Sequence, residues 1–138
     1  MTDSNIRISD LVEYTFKHIP KLQGEWTKAG LHEVIKQFWN ASLVKFGLTE
    51  SGEIGGLLLF SWLTHDRLQN EDLLFDHNND NQVIFIFVAI ASDKRFIPIG
   101  ARQLIDKFKK AESVVFNAIK HGTRIVKIPI LKFKEHFT

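Results

Sequence analysis

The residues whose types suit chemistry are few, and their spacing completes no familiar site. His32-Glu33 opens a zinc-type His-Glu-x-x-His pattern, but Lys36 stands where the second histidine would complete the pair of ligands on one helical face. Asp76, Asn78 and Asp80 have the spacing of the first three ligands of a calcium loop. Asn81 replaces the sharp-turn glycine and Phe87 the bidentate glutamate, so the segment reads as a polar loop. Ser61 lies outside any Gly-x-Ser-x-Gly elbow and reads as a small strand residue beside Trp62, not as a nucleophile. The histidines at 18, 32, 65, 77, 121 and 136 have no ligand spacing, and none stands out as a general base. No Walker loop or dinucleotide fingerprint occurs, and no metal site is predicted. The absence of cysteine excludes disulfides, a thiol nucleophile and thiolate metal ligands.

One junction is more suggestive. Lys94 and Arg95, then Gly100, Ala101 and Arg102, join a very apolar segment to a basic helix expected over Gly100 to Ala111. A helix N-terminus at Gly100 would offer unpaired backbone N–H groups and the positive end of the helix dipole, which suits a phosphorylated cofactor. A plain strand-to-helix loop is the alternative reading of the same residues.

The elements that must position this junction follow from hydrophobic spacing. Apolar residues at 8, 11, 12, 16 and 19 predict a helix over Ile8 to Ile19, with Ser9 or Asp10 as N-cap and Pro20 as its end. Thr27 is placed to cap a second helix that carries Leu31, Val34, Ile35 and Phe38 on one face. Leu43 to Leu48, the turn Glu50-Ser51-Gly52-Glu53, and Gly55 to Leu63 predict an antiparallel hairpin, its second strand buried on both faces. Thr64 to Gln82 is polar and acidic, with a short helix expected around Gln69 to Phe75. Val83 to Ala91 is the most apolar run and is predicted to be the central strand. After the basic helix come a strand over Val114 to Ile119, a turn over Lys120 to Thr123, and a last strand over Ile125 to Phe133. Pro129 places that last strand at an edge or a bulge. The order predicts an α+β fold: a mostly antiparallel central sheet, two N-terminal helices and one crossover helix.

Composition bounds the rest. A chain of 138 residues with 44% hydrophobic and 25% charged residues predicts one globular domain over 1–138. The apolar runs are far shorter than the ~20 residues of a membrane span, and the polar start carries no signal-peptide core, so a cytoplasmic location is expected. The net charge is +2, unevenly placed: Lys94 to Lys134 holds 11 Lys/Arg against 2 Asp/Glu, while residues 1 to 93 hold 7 against 13. This asymmetry predicts an acidic partner for one face, unless the two halves intermix in space.

The landmarks Gly24-Glu25-Trp26, Leu48-Thr49, Phe60-Ser61-Trp62, Phe85-Ile86, Ile90-Ala91, Gly100-Ala101 and Phe116-Asn117-Ala118-Ile119 stand in an order that resembles the toxin-activating lysine acyltransferases of the haemolysin-activating type. The resemblance covers roughly residues 20 to 130. It implies a GNAT-like fold and, in the family, transfer of a fatty acyl chain from acyl carrier protein to toxin lysines. It further implies that Lys94, Arg95, Gly100, Ala101 and Arg102 would contact acyl-CoA or acyl carrier protein, although the second glycine of the superfamily's pyrophosphate loop is absent. The family's histidine would fall on Gln23 and its aspartate on Phe87 or Val88, where neither side chain can exchange a proton near neutral pH. Asp93 lies a few residues on and could substitute only if the strand end is remodelled.

Three functions are therefore expected in order. The first is a non-catalytic, acyltransferase-like accessory protein, of a size that suits a phage or other mobile element, binding an acidic protein partner. The second is an active N-acyltransferase. The third is a nucleic-acid-binding protein using the basic half. A homodimer stays open.

Overall fold

The computed structural model describes residues 6–24, 26–64, 82–117 and 125–137. In chain order these form α1 (Ile8–His18), a 3-10 turn (Pro20–Gly24), α2 (Lys28–Asn40), β1 (Val44–Leu48), β2 (Ile54–Leu63), β3 (Val83–Ala91), α3 (Phe96–Lys107), β4 (Ser113–Asn117), β5 (Ile125–Pro129) and α4 (Ile130–Phe137). The strands make one mixed sheet in the order β1-β2-β3-β4-β5. Only β3 and β4 run parallel; the other three pairs are antiparallel. The chain is therefore α+β, with β3 in the middle, as its unbroken β-branched and aromatic run predicts.

Local chemistry sets most boundaries. Arg7, not Ser9 or Asp10, precedes the first turn of α1. Asp10 sits one turn inside and accepts the Arg7 N–H at 2.8 Å. Thr27 Oγ1 accepts the Gly30 N–H at 2.9 Å, the expected cap of α2. The far end of α2 closes through Ser42, held at φ 60°, whose N–H bonds Trp39 O while the Leu43 N–H bonds Phe38 O. Gly52, at φ +86°, turns β1 into β2.

Two predicted elements differ from the structure. The helix expected over Gly100 to Ala111 runs from Phe96 to Lys107. Pro98 falls in its first turn, where a missing N–H costs nothing. The strand expected over Ile125 to Phe133 stops at Pro129, and Ile130–Phe137 is helical. Pro129 cannot continue a ladder, and the Ile130 N–H is taken by Glu112 O at 3.0 Å. Beyond that bond, Phe133 is buried while residues 131, 132 and 134–136 are exposed, a helical burial pattern. β5 itself lies at the sheet edge. The helix expected around Gln69 to Phe75, the Asp76/Asn78/Asp80 loop and the turn over Lys120 to Thr123 lie outside the described residues.

Both faces of β2 are buried. Alternation puts Gly56, Leu58, Phe60 and Trp62 on one face, and this is the face α3 covers: Phe108, just past its end, stacks on Trp62 (4.7 Å, 13°) and meets Phe60 edge-on (5.7 Å, 72°). α4 packs beside α3, and α1 and α2 pack together; Leu31, Ile35 and Phe38 of α2 are buried, and α2 packs on β1 and β2. The other face of β2, with Leu57 and Leu59, is therefore left to α2. Ser61 lies on that second face, buried, with no partner for its hydroxyl among the described residues.

Candidate functional site

Among the described residues, β3 and β4 are in parallel register from Val83↔Ser113 to Ile86↔Phe116. At the same level β3 slips against β2: Leu59 pairs with Val88 and Phe60 with Ile86, which leaves Phe87 as the extra residue of a bulge. From Val88 to Ala91 the strand keeps its ladder to β2 alone among the described residues. Backbone alternation fixes which way the peptide groups of this stretch face. The Asp93 N–H reaches Gly55 O of β2 at 3.0 Å, and the Ser92 N–H turns the other way, to the Tyr14 hydroxyl at 3.3 Å. Val88 and Ile90, in step with Ser92, therefore aim their N–H and C=O groups away from β2.

Phe87 is held from the α1/α2 side. Its ring stacks on Phe38 at 5.6 Å and 18°, and Trp26 meets it edge-on at 6.2 Å. Trp26 and Gln23 line a cavity of about 550 Å3 with Glu13, Lys17 and Lys28. The structure thus gathers Gln23, Trp26 and Phe87 into one neighbourhood. Neither Gln23 nor Phe87 titrates, and the Glu13 carboxylate at this cavity is bonded to Lys28 Nζ at 2.8 Å.

The corner between β3 and α3 is closed by hydrogen bonds. Ser92 Oγ donates to Gly55 O at 3.3 Å, so the Tyr14 hydroxyl donates to Ser92 Oγ at 2.8 Å and accepts the Ser92 N–H. A second cavity of about 530 Å3, on the Tyr14, His18 and Glu53 side of α1, opens onto this link. Asp93 holds Arg95 three ways: Oδ1 accepts the Arg95 backbone N–H and Nε, each at 3.1 Å, and Oδ2 accepts a terminal guanidinium nitrogen at 2.6 Å. The side-chain bonds to Arg95 are the main reason its carboxyl sits below the ordinary 3.8, with the backbone bond second. A carboxylate so held is a weak proton acceptor.

The helix terminus also differs from the sequence expectation. The first turn of α3 has its donors spent: Arg95 N–H on Asp93 Oδ1, Phe96 N–H on Asp93 O (3.1 Å), Ile97 N–H on Lys94 O (3.2 Å), and Pro98 has none. Gly100 and Ala101, expected at the helix N-terminus, lie inside the helix, which starts at Phe96. Ala101 is buried, and a Cβ at Gly100 would meet nothing nearer than Leu58 Cδ2 at 3.8 Å. Lys94 and Arg102 are exposed, and Arg95 is tied to Asp93.

One feature escaped the sequence expectations. The Phe96 ring lies on a floor of three glycines. A Cβ would come within 2.3 Å of the ring at Gly47 and 2.6 Å at Gly55, and within 2.9 Å of Phe96 Cβ at Gly56. Gly47 and Gly56 are register partners on β1 and β2. Three glycines in two paired strands were the available signal; what they face was not. Among the described residues no group of three His, Asp or Glu is arranged to hold a metal ion. No helix there is long and apolar enough to cross a membrane. No family model, curated protein or solved structure matches the chain.

Proposed function

We propose that this chain is a non-catalytic binding protein on an acyltransferase-like, GNAT-type fold, and that its ligand is a macromolecular partner with an acidic surface. The observation that carries the reading is the bulge at Phe87. It sits in the central strand, where the resemblance expects an aspartate, and it presents a phenyl ring packed between Phe38 and Trp26. Gln23 is equally inert, and Asp93 is committed to Arg95. The basic character of the second half supports an acidic partner: from Lys94 to His136 the described residues hold nine Lys/Arg against three Asp/Glu. An accessory role in a phage or other mobile element suits so small a binding protein.

The exposed cations Lys94 and Arg102 beside the start of α3 favour one competing reading, an N-acyltransferase that takes acyl-CoA or acyl carrier protein there. The two are separated by incubating the protein with acyl-CoA and with acylated carrier protein in the presence of a lysine-containing acceptor. We expect no transfer, and no rise in melting temperature with millimolar CoA. Turnover in this assay would overturn the binding-only reading.

A further inference from the structure

We infer that the cavity between α1 and the turn that carries Trp26 is a binding site for an organic carboxylate with an apolar body. The inference goes beyond the reading above and rests on other residues, those of α1 and the entry to α2, not on the basic half. The cavity measures about 550 Å3, within the range of small-molecule sites. Two rings make its apolar part: Phe16 is buried and Trp26 is half-buried. Trp26 is held in place. Its backbone N–H bonds Leu22 O at 2.7 Å, and its ring meets Phe87 edge-on, which in turn stacks on Phe38. A ring fixed before the ligand arrives loses little freedom on binding.

The polar side of the cavity selects the charge. Lys17, Lys28 and Gln23 bring N–H donors. Glu13 is the one carboxylate among the described lining residues, and Lys28 Nζ holds it at 2.8 Å. The Lys17 ammonium is exposed, with no ion pair or side-chain hydrogen bond among the described residues. A carboxylate matches this set: it accepts a charge-assisted bond from Lys17 and has lone pairs left for the Gln23 amide. One unmatched ammonium balances one negative charge, whereas a phosphate monoester carries nearly two at neutral pH. Glu13 and Lys17 also border the second cavity. There Asp10 and Glu53 add two carboxylates, so an anion is favoured on the Trp26 side alone. The apolar body of the ligand then lies against Trp26 and Phe16.

The test uses the whole chain and three compounds that share one apolar body: phenylbutyrate, phenylbutanol and phenylbutylamine. The carboxylate should bind about tenfold more tightly than the alcohol, and the amine more weakly than either. In NMR spectra the indole N–H of Trp26 should shift, while that of Trp39, exposed near the far end of α2, stays in place. Lys17→Met should weaken the carboxylate about fivefold and leave the alcohol unchanged. Glu13→Gln, which releases Lys28, should tighten the carboxylate about threefold. A glutamate that only held the site together would weaken binding when replaced. Acetyl-Gly-Gly-Phe with a free C-terminal carboxylate separates two sources of the same chemistry. Tighter binding than phenylbutyrate assigns the site to a polypeptide end, and weaker binding assigns it to a free small carboxylate. Equal binding by the three compounds, shifts confined to residues away from Trp26, or no binding of phenylbutyrate at millimolar concentration would overturn the inference. Its failure leaves the acidic-partner reading and the acyl-transfer assay untouched.

Discussion

The two ends of α3 are fixed to the same face of the sheet by a phenylalanine each, in opposite ways. At the C-terminal end Phe108 is buried against large rings, stacked on Trp62 and edge-on to Phe60. At the N-terminal end Phe96 lies where side chains have been removed, on Gly47, Gly55 and Gly56. The first contact gains by adding apolar surface. The second gains by letting a ring approach the backbone of two paired strands, and it offsets the strand propensity that glycine forfeits. The consequence is positional. Stacked rings tolerate small sliding, whereas a ring on a glycine floor fixes how high the helix starts, and with it the corner that bonds Asp93 and Ser92 to Gly55.

Breaking each end separately tests this contrast. The largest effect is expected from Phe108→Ala, which empties a buried site against two rings and should cost about 4 kcal/mol in denaturant unfolding. Gly47→Ala comes next. Its Cβ would sit 2.3 Å from the Phe96 ring, so about 2 kcal/mol should be lost as the ring is pushed aside. Most of that cost should vanish when Phe96→Ala is already present. If Gly47→Ala costs the same in both backgrounds, the ring is not what the glycine accommodates. A double-mutant cycle between Trp62 and Phe108, each replaced by Leu, should give a coupling of about 1 kcal/mol for the stack itself.

The smallest effect is electrostatic and confined to acid. Asp93 titrates below its ordinary 3.8 in the folded chain, so its bonds to Arg95 contribute stability above that value, and the contribution fades as pH falls through the lower, folded value. Asp93→Asn should therefore melt below the wild type at neutral pH by a small margin that closes under strongly acidic conditions. A margin independent of pH would mean the pairing depends on shape and not on charge.

How much of this was legible varied with the range of the interactions. β3 was predicted from Val83 to Ala91, and the structure has those bounds, because nine consecutive apolar residues of high strand propensity are their own signal. The Thr27 cap and the Gly52 turn were legible for the same local reason. The start of α3 was not. Pro98 and Gly100 look like interruptions in a sequence window, and only the seat under Phe96 and the Asp93–Arg95 bonds place the first turn before them. The last helix was missed because Ile130 and Phe133 fit the end of a strand as well as one side of a helix. Of the candidate site, Gln23 and Phe87 were legible as side chains that do not titrate near neutral pH. That Phe87 is a bulge, packed against Trp26 and Phe38, needed the folded sheet.

The sequence by itself determined the class of the fold, the β1–β2 hairpin, the central strand and the single crossover helix, because periodic burial is written in neighbouring residues. It also determined that neither Gln23 nor Phe87 exchanges a proton near neutral pH, since a side chain without a titratable group stays so in any fold. Only the tertiary structure decided the bulge at Phe87, the link from Tyr14 to Ser92, and that the backbone donors in the first turn of α3 are already bonded. Those depend on contacts between residues far apart in the chain: Phe96 with Gly47, Tyr14 with Ser92, Trp26 with Phe87. Local hydrophobic spacing carries no record of such pairs.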